Sequence, residues 1–194
     1  MHWRERAQRR RAYNDPGHAH ELTFCCVDRH PFLRAARACN WLADAINAAR
    51  SKHEFALWAY AFMPDHVHLI VHPTRPGYDI SPIIAAIKEP VGRKAIAYLR
   101  EHNPAWVDRL TVQKGRRTET RFWQPGGGYD RNVTGPRTLA RMIDYIHLNP
   151  VRKGLVEKPE GWKWSSAGWV DDREPNALKP DPIPPEWGVI EFVE

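Results

Sequence analysis

Two apolar segments separated by a Pro-Asp pair restrict the fold of this chain more than any other feature. Residues 55–63 are apolar and rich in aromatic side chains, and residues 66–72 form a second apolar segment that carries three histidines. Pro64-Asp65 between them is typical of a tight turn. Two strand-like runs joined in this way predict a β-hairpin. The chain is therefore expected to contain an antiparallel sheet.

Strand-like and helix-like segments alternate along the rest of the chain. Ser81-Pro82 is typical of a helix start, with serine as the cap and proline in the first turn. Periodicity predicts strands at 20–27 and 129–133, helices at 33–51, 81–100 and 136–150, and a loop at 103–128. The order is β-α-β-β-α-β-α. It predicts the α+β class, with a ferredoxin-like β-α-β-β-α-β sheet and one additional C-terminal helix.

Charge is distributed unevenly over the 194 residues, which carry a net charge of +6 and 9 Trp. Residues 171–194 hold 7 acidic and 2 basic side chains and five prolines, so residues 1–170 carry a net charge of +11. We divide the chain into a domain at 1–170 and an acidic, Pro-rich tail at 171–194. The tail is expected to be an extended wrap or a mobile end. The basic domain favours a nucleic acid partner.

Composition also limits the location of the protein. No apolar run approaches the roughly 20 residues of a membrane helix, and the first residues lack the apolar region of a secretory signal. The three cysteines show no C-x-x-C spacing, which argues against a disulfide scaffold or a zinc knuckle. A reduced, cytoplasmic protein without a membrane partner is expected.

The first candidate site is His66-Val67-His68 on the second strand of the hairpin. Side chains alternate between the faces of a strand, so both imidazoles are expected on one face. Histidines at this spacing can converge on one metal ion. The alternative is a solvated strand face that happens to carry two histidines. His18-Ala19-His20 has the same spacing but a weaker strand context.

The second candidate site is on the helix at 136–150. Tyr145 and Asn149 are one turn apart, and Arg141 lies one turn before the tyrosine. An arginine can pair with a phosphate oxygen, and an amide oxygen can ligate a hard cation, so the trio suits phosphate chemistry. The alternative is a tyrosine at the edge of the core and an asparagine that ends the helix before Pro150.

Basic and aromatic side chains alternate in several other segments. Such segments favour nucleic acid binding, although solvated loops have the same composition. The candidate nucleic-acid-binding residues are Arg116, Arg117, Trp123, Arg131, Arg141, Arg152 and Lys153. Tyr129 is a rival nucleophile to Tyr145, because it also neighbours a basic residue. Its position after Gly126-Gly127-Gly128, rather than on a helix, makes it the second choice.

These motifs resemble a known family. Residues 62–71, FMPDHVHLIV, look like the histidine–hydrophobic–histidine (HUH) motif of single-strand DNA transposases. Residues 144–156, DYIHLNPVRKGLV, look like the catalytic-tyrosine helix of the REP-associated tyrosine transposases, and WKWSS at 162–166 is similar to the segment that follows it. The resemblance spans roughly residues 10–170. The glycine run at 126–128 departs from it, and the acidic tail has no counterpart.

The resemblance implies a role for each matching residue. His66 and His68 would bind a divalent cation, Mg²⁺ or Mn²⁺, and Asn149 would complete the site. Tyr145 would attack the scissile phosphate and leave a 5′-phosphotyrosine and a free 3′-OH. The implied protein is a bacterial, nucleoid-associated endonuclease and transposase that cleaves and rejoins single-stranded DNA near hairpins, as a monomer or a homodimer.

Two other functions compete with this one. A non-catalytic ferredoxin-like module that binds single-stranded nucleic acid would use Phe55, Trp58 and Tyr60 as an aromatic platform, although these residues suit a core equally well. A metal-dependent hydrolase would use water as the nucleophile. Asp65 is then the one carboxylate near the histidine pair in sequence.

Overall fold

The structure of the protein, a computed structural model, describes residues 14–169 and 178–188. Within these ranges the chain forms six strands and four α-helices. In chain order they are β1 (Ala19–Cys25), α1 (Ala36–His53), β2 (Phe55–Phe62), β3 (His66–Pro73), α2 (Ile80–His102), α3 (Pro104–Leu110), β4 (Thr111–Lys114), β5 (Arg117–Thr120), β6 (Tyr129–Val133) and α4 (Pro136–Arg152). An antiparallel sheet covered by helices confirms the predicted α+β class. None of the helices in the described ranges has the length and apolar character needed to cross a membrane.

The main sheet has four strands in the order β2-β3-β1-β6, and each neighbouring pair is antiparallel. Helices α1 and α2 cover one face, where Leu42 and Ile87 share a core with Leu22. Helix α4 covers the other face, where Ile146 packs in a second, smaller cluster with Ile70. The sheet is therefore the middle layer, with α1 and α2 on one face and α4 on the other.

The hairpin predicted from residues 55–72 is present. Strands β2 and β3 pair along their length, and the N–H of Met63 donates to the carbonyl oxygen of His66 at 2.8 Å to close the turn. The carbonyl oxygen of Asp65 accepts from the N–H of Cys26 at 2.8 Å, so the turn is also tied to the end of β1. Alternation along β3 directs His66 and His68 towards α4, on the opposite face from the buried Val67.

The loop predicted over residues 103–128 is wrong for much of its length. Pro104 is the first residue of α3, and β4 and β5 form a separate hairpin whose turn contains Gly115 at φ +63°. The helix has 7 residues and each strand has 4. Elements this short do not repeat their apolar pattern often enough for periodicity to be detected.

Three helix boundaries also differ from the prediction. Asp79, not Ser81, caps α2, because its carboxylate accepts from the N–H of Ser81 at 2.9 Å. Helix α1 begins at Ala36, after a 3₁₀ turn at Phe32–Arg34. Pro150 lies inside α4, which continues to Arg152, because a proline near the C-terminal end removes one helical hydrogen bond without stopping the last turn.

Part of the acidic tail packs against the domain. Leu178 is only 1% exposed in the main core, and its carbonyl oxygen accepts from the hydroxyl of Tyr60 at 2.9 Å. The carboxylate of Asp181 accepts from the N–H of Leu57 at 2.7 Å and pairs with Arg50 on α1. Residues 178–188 therefore form an extended segment along the edge strand β2. Residues 170–177 and 189–194 of the tail lie outside the described residues.

We expect Asp181→Ala to lower the free energy of unfolding by about 1–3 kcal/mol. The substitution leaves the N–H of Leu57 without its acceptor and Arg50 without its ion pair. Glu186→Ala is the matched control, because it removes the same charge from an exposed position of the same segment. Urea unfolding of the three proteins measures the difference. Equal losses in both variants would contradict a structural role for Asp181.

Candidate active site

A cleft of about 970 Å³ opens where α4 meets the sheet beside the β2–β3 turn. Its floor is formed by the α4-facing side chains of β1, β3 and β6, and one wall is the C-terminal half of α4. The residues that line it are Glu21, Thr23, Arg29, Met63, Pro64, Asp65, His66, His68, Tyr129, Arg131, Met142, Tyr145, Asn149, Lys153 and Leu155. His66 and His68 of the first candidate site therefore share one cleft with Tyr145 and Asn149 of the second.

The two imidazoles of β3 converge in this cleft. Their Nε2 atoms lie 3.1 Å apart, and the ring planes are nearly perpendicular. Nδ1 of His66 donates to the carboxylate of Asp65 at 2.7 Å, and Nδ1 of His68 lies 2.8 Å from the hydroxyl of Thr23. Because a carboxylate can only accept, the neutral ring of His66 keeps a lone pair on Nε2. In each ring, Nδ1 has a hydrogen-bond partner and Nε2 points at the Nε2 atom of the other ring.

Both histidines are held in the neutral form. Burial lowers the pKa of His68 to about 3, and protonation of the neighbouring His66 would act in the same direction. Burial also lowers the pKa of His66, against the opposing hydrogen bond and charge of Asp65. Neutral imidazoles are the form in which histidine binds metal ions.

Tyr145 lies directly against this pair in the same chain. Its ring meets the ring of His68 edge to face, with 5.8 Å between the centroids, and it remains 43% exposed. The guanidinium carbon of Arg152 lies 5.3 Å from the centroid of the tyrosine ring. Helix α4 positions the tyrosine because Leu139 and Ile146 are buried on the sheet, which turns Tyr145 to the edge of the contact. The hydroxyl is therefore open to a ligand in the cleft.

Asn149 follows one turn later and also lines the cleft. Its Nδ2 donates to the carbonyl oxygen of Tyr145 at 3.0 Å, so Oδ1 is the atom that remains for a ligand. In residues 14–169 and 178–188, no group of three or more His, Cys, Asp or Glu side chains is arranged to hold a metal ion. A metal centre here would depend on the two histidines with the amide of Asn149.

Comparison with known protein families identifies the family of this chain. The family described as "Transposase IS200 like" matches residues 17–149, a span that includes His66, His68, Tyr145 and Asn149. The chain belongs to the IS200-like transposase family. Its members are DNA-processing proteins, so a role on DNA follows from the membership.

Individual relatives agree with this assignment. The chain is 26% identical over 159 residues to a Haemophilus influenzae protein named "Putative REP-associated tyrosine transposase". The aligned region covers 78% of this chain and 81% of the relative. A solved REP-associated tyrosine transposase bound to a REP hairpin has the same fold, with a TM-score of 0.66, 19% identity and coverage of 91% and 98% of the two chains. The resemblance seen in the sequence motifs is confirmed.

The predicted nucleic-acid-binding residues of this IS200-like transposase separate into groups. Arg131 and Lys153 line the cleft, and Arg152 lies beside Tyr145. Arg141 is exposed on α4 but does not line the cleft, and Arg116 and Arg117 lie at the tip of the separate β4–β5 hairpin. Of the predicted residues, those near the histidine pair thus come from β6 and from the end of α4.

Trp123 does not fit its predicted role in nucleic acid binding. It is 7% exposed, packs edge to face on Phe24 and donates from Nε1 to the carbonyl oxygen of Lys88 at 2.9 Å. Its side chain is a core element and is not available for stacking on a base. Phe55, Trp58 and Tyr60 are buried as well, which removes the aromatic platform that a non-catalytic binding module would need.

Sequence reasoning missed three residues of the cleft. Thr23 and Glu21 share the α4-facing side of β1, and Arg29 follows β1 and pairs with Asp65 at 3.3 Å. Burial raises the pKa of Glu21, although the charge of Arg131 opposes the shift. Two polar side chains at alternate positions of an apolar strand were the available signal. Their partners on β3 and β6 were not visible without the sheet order.

The second histidine pair, His18 and His20, does not form a comparable site. His20 is fully buried, and its two nitrogens lie 2.6 Å from the carboxylate of Asp130 and 2.6 Å from the hydroxyl of Tyr78. His18 contacts the side chain of Asn132 instead. The imidazole of His20 therefore serves a buried network on the α1–α2 face of the sheet.

Proposed function

We propose that this IS200-like transposase is a metal-dependent endonuclease and transposase that cleaves and rejoins single-stranded DNA through a 5′-phosphotyrosine. One observation carries the proposal: the side chain of Tyr145 lies against the His66–His68 pair of its own chain, with 5.8 Å between the rings of Tyr145 and His68. A nucleophile beside two converging imidazoles is the arrangement that phosphoryl transfer to a tyrosine needs.

The donor set suits a small divalent cation, Mg²⁺ or Mn²⁺. Two neighbouring ligands of a six-coordinate Mg²⁺, with bond lengths of about 2.1 Å, are separated by about 3 Å, which agrees with the 3.1 Å between the Nε2 atoms. Asp65 behind His66 is the carboxylate partner that ligating histidines commonly have. The Thr23 hydroxyl can donate to or accept from Nδ1 of His68, so that ring can adopt the tautomer with a free Nε2.

His66, His68 and the Oδ1 atom of Asn149 would hold the cation. When bound, it would supply Lewis-acid stabilisation of the charge that develops on the scissile phosphate. The cationic side chains of Arg29, Arg131 and Lys153 line the same cleft. They are suited to pair with oxygens of the phosphates that flank the scissile phosphate.

Tyr145 would carry out the chemical step. Its oxygen loses the hydroxyl proton and forms a bond to phosphorus, and the bond from phosphorus to the 3′ oxygen breaks. The departing oxygen takes up a proton and becomes a free 3′-OH, while the 5′ end stays on the tyrosine. Because the phosphodiester energy is kept in this linkage, attack by another 3′-OH can reverse the step and rejoin a strand.

The substrate that we propose is hairpin-containing single-stranded DNA, in agreement with the hairpin bound by the solved relative. The residues of the proposed site line one cleft of a single chain, which supports cleavage by a monomer. Such a substrate would place the protein at the bacterial nucleoid. The aromatic residues available to a non-catalytic binding module are buried, which leaves the enzymatic reading as the better supported one.

Incubating the protein with Mn²⁺ and single-stranded oligonucleotides that contain hairpins should give a protein–DNA adduct that survives denaturation. EDTA should reduce the adduct to background, because it removes the cation that the two imidazoles are suited to hold. Denaturing gel electrophoresis of 5′- and 3′-labelled strands measures both results and shows which end is attached. A free 5′-phosphate with no adduct would indicate hydrolysis by water and contradict the proposal.

A further inference from the structure

Tyr129 and Arg131 stand in a row on the cleft side of β6. In the sheet register Tyr129 lies opposite Thr23 of β1, and Thr23 lies opposite His68 of β3. Two strand spacings of about 4.8 Å place the backbone of Tyr129 about 10 Å from that of His68. Tyr129 therefore lies two strands away from the histidine pair, on the same face of the sheet.

Tyr129 is the most exposed large hydrophobic side chain of the described residues, at 53%. Val133, on the same face of the same strand, is fully buried under α4. The cover provided by α4 thus ends between these two positions, and the side chain of Tyr129 lines the cleft while about half of it stays exposed. An exposed ring beside basic side chains is the kind of surface on which nucleobases stack.

The loop before Tyr129 is built to hold it in place. Gly128 has φ +79°, and a Cβ atom there would lie 2.2 Å from the carbonyl oxygen of Thr23, so this position requires glycine. The buried Lys88 donates from Nζ to the carbonyl oxygens of Gln124 and Gly126 at 3.3 and 2.6 Å. The glycine run that departs from the family pattern therefore brings the loop tightly against β1 and fixes the start of β6.

Arg131 gives the same row a positive charge. It is exposed, lines the cleft and lies opposite Glu21 in the register of β1 and β6. Glu21 is buried beside it on β1, close enough for the charge of Arg131 to act on its carboxyl group. A planar ring and a guanidinium two residues apart on one strand match the two parts of a nucleotide, the base and the phosphate.

We propose that Tyr129 and Arg131 form a nucleotide subsite that binds single-stranded DNA next to the scissile phosphate. The base stacks on the ring of Tyr129, and its phosphate pairs with Arg131. The distance to His68 is short enough for a neighbouring nucleotide of an extended strand to span. The inference rests on the proposed function for the position of the scissile phosphate. It assigns Tyr129 to substrate binding and not to nucleophilic attack.

Binding without chemistry tests the subsite independently of cleavage. In EDTA, the affinity of the full chain for a fluorescent single-stranded oligothymidylate should fall about five- to a hundred-fold in Tyr129→Ala, because one stacking contact is lost. Tyr129→Phe and Tyr129→Trp should bind like the wild type, since both keep the ring. Tyr98→Ala is the matched control: it removes a tyrosine from α2, outside the cleft, and should leave affinity unchanged. Arg131→Ala should reduce the salt dependence of binding.

The adduct assay separates the roles of the two tyrosines. Tyr129→Ala should raise KM for a cleavable strand and leave kcat unchanged, and Tyr129→Phe should form the adduct normally. Equal affinities for the wild type and Tyr129→Ala, or equal losses in Tyr129→Ala and Tyr98→Ala, would overturn the subsite. Loss of the adduct in Tyr129→Phe would also overturn it, because the hydroxyl would then be required. If the wild type forms no adduct at all, the proposed function fails while the binding result still decides on the subsite.

Discussion

Replacing Tyr145 with phenylalanine should abolish the covalent protein–DNA adduct, with a loss of cleavage rate of at least about a thousand-fold. The substitution removes only the nucleophilic oxygen. The ring contacts with His68 and Arg152 do not involve the hydroxyl and should persist. Because the side chain is partly exposed, no buried group loses a partner and the fold should be unaffected. Single-turnover cleavage of a labelled strand measures the rate, and thermal unfolding checks the fold.

Tyr129→Phe is the matched control for this experiment. It removes a hydroxyl from the other exposed tyrosine of the same cleft, so both variants change the site by one oxygen atom. We expect adduct formation by Tyr129→Phe and none by Tyr145→Phe. An adduct that persists in Tyr145→Phe would show that another residue attacks the phosphate, and the opposite pattern would transfer the role to Tyr129.

Local periodicity was sufficient to predict the separate parts of the candidate site. Alternation along β3 correctly directed His66 and His68 to one face, because that period depends only on the strand itself. The one-turn spacing of Tyr145 and Asn149 likewise appears as a direct hydrogen bond of 3.0 Å between them. These relationships lie within single elements, so the sequence carries them without knowledge of the tertiary fold.

The assembly of those parts was not available from periodicity. Thr23 bonds to His68 across 45 residues of chain, and Tyr145 meets His68 from a different element. Nothing in a local pattern specifies which strands are neighbours or which helix covers them. In the sequence, only the order of the two motifs and their resemblance to a family link the histidines to the tyrosine.

The composition of a segment does not predict which of its side chains are buried where neighbouring residues face in opposite directions. Basic residues around Trp123 suggested a surface, yet the segment bridges to Cys26, just after the inner strand β1, and the indole packs in the core. Prolines and acids in the tail predicted an extended wrap or a mobile end. Its described part, residues 178–188, agrees with the wrap, but composition did not show that Leu178 enters the core or that Asp181 bonds to β2. In both segments a single buried side chain decides the position, and averages over the segment conceal it.

Removing the imidazole of His68 should weaken binding of Mn²⁺ by more than about a hundred-fold and reduce adduct formation to background. The loss should exceed the 10- to 100-fold that changes in outer partners of metal ligands typically cause, because His68→Ala deletes one of the proposed ligands. His102→Ala is the control, since it removes an exposed histidine at the end of α2, outside the cleft. Titration calorimetry with Mn²⁺ measures binding.

The fold of His68→Ala must be compared in the absence of metal, because the imidazole is buried and bonded to Thr23. Urea unfolding in EDTA gives the structural cost of the substitution. A variant that remains folded, loses Mn²⁺ binding and forms no adduct is the result expected if His66 and His68 act as a pair. Cleavage that stays metal-dependent in His68→Ala would mean that the 3.1 Å approach of the two nitrogens is a feature of packing alone, and the metal would have to be held by other residues of the cleft.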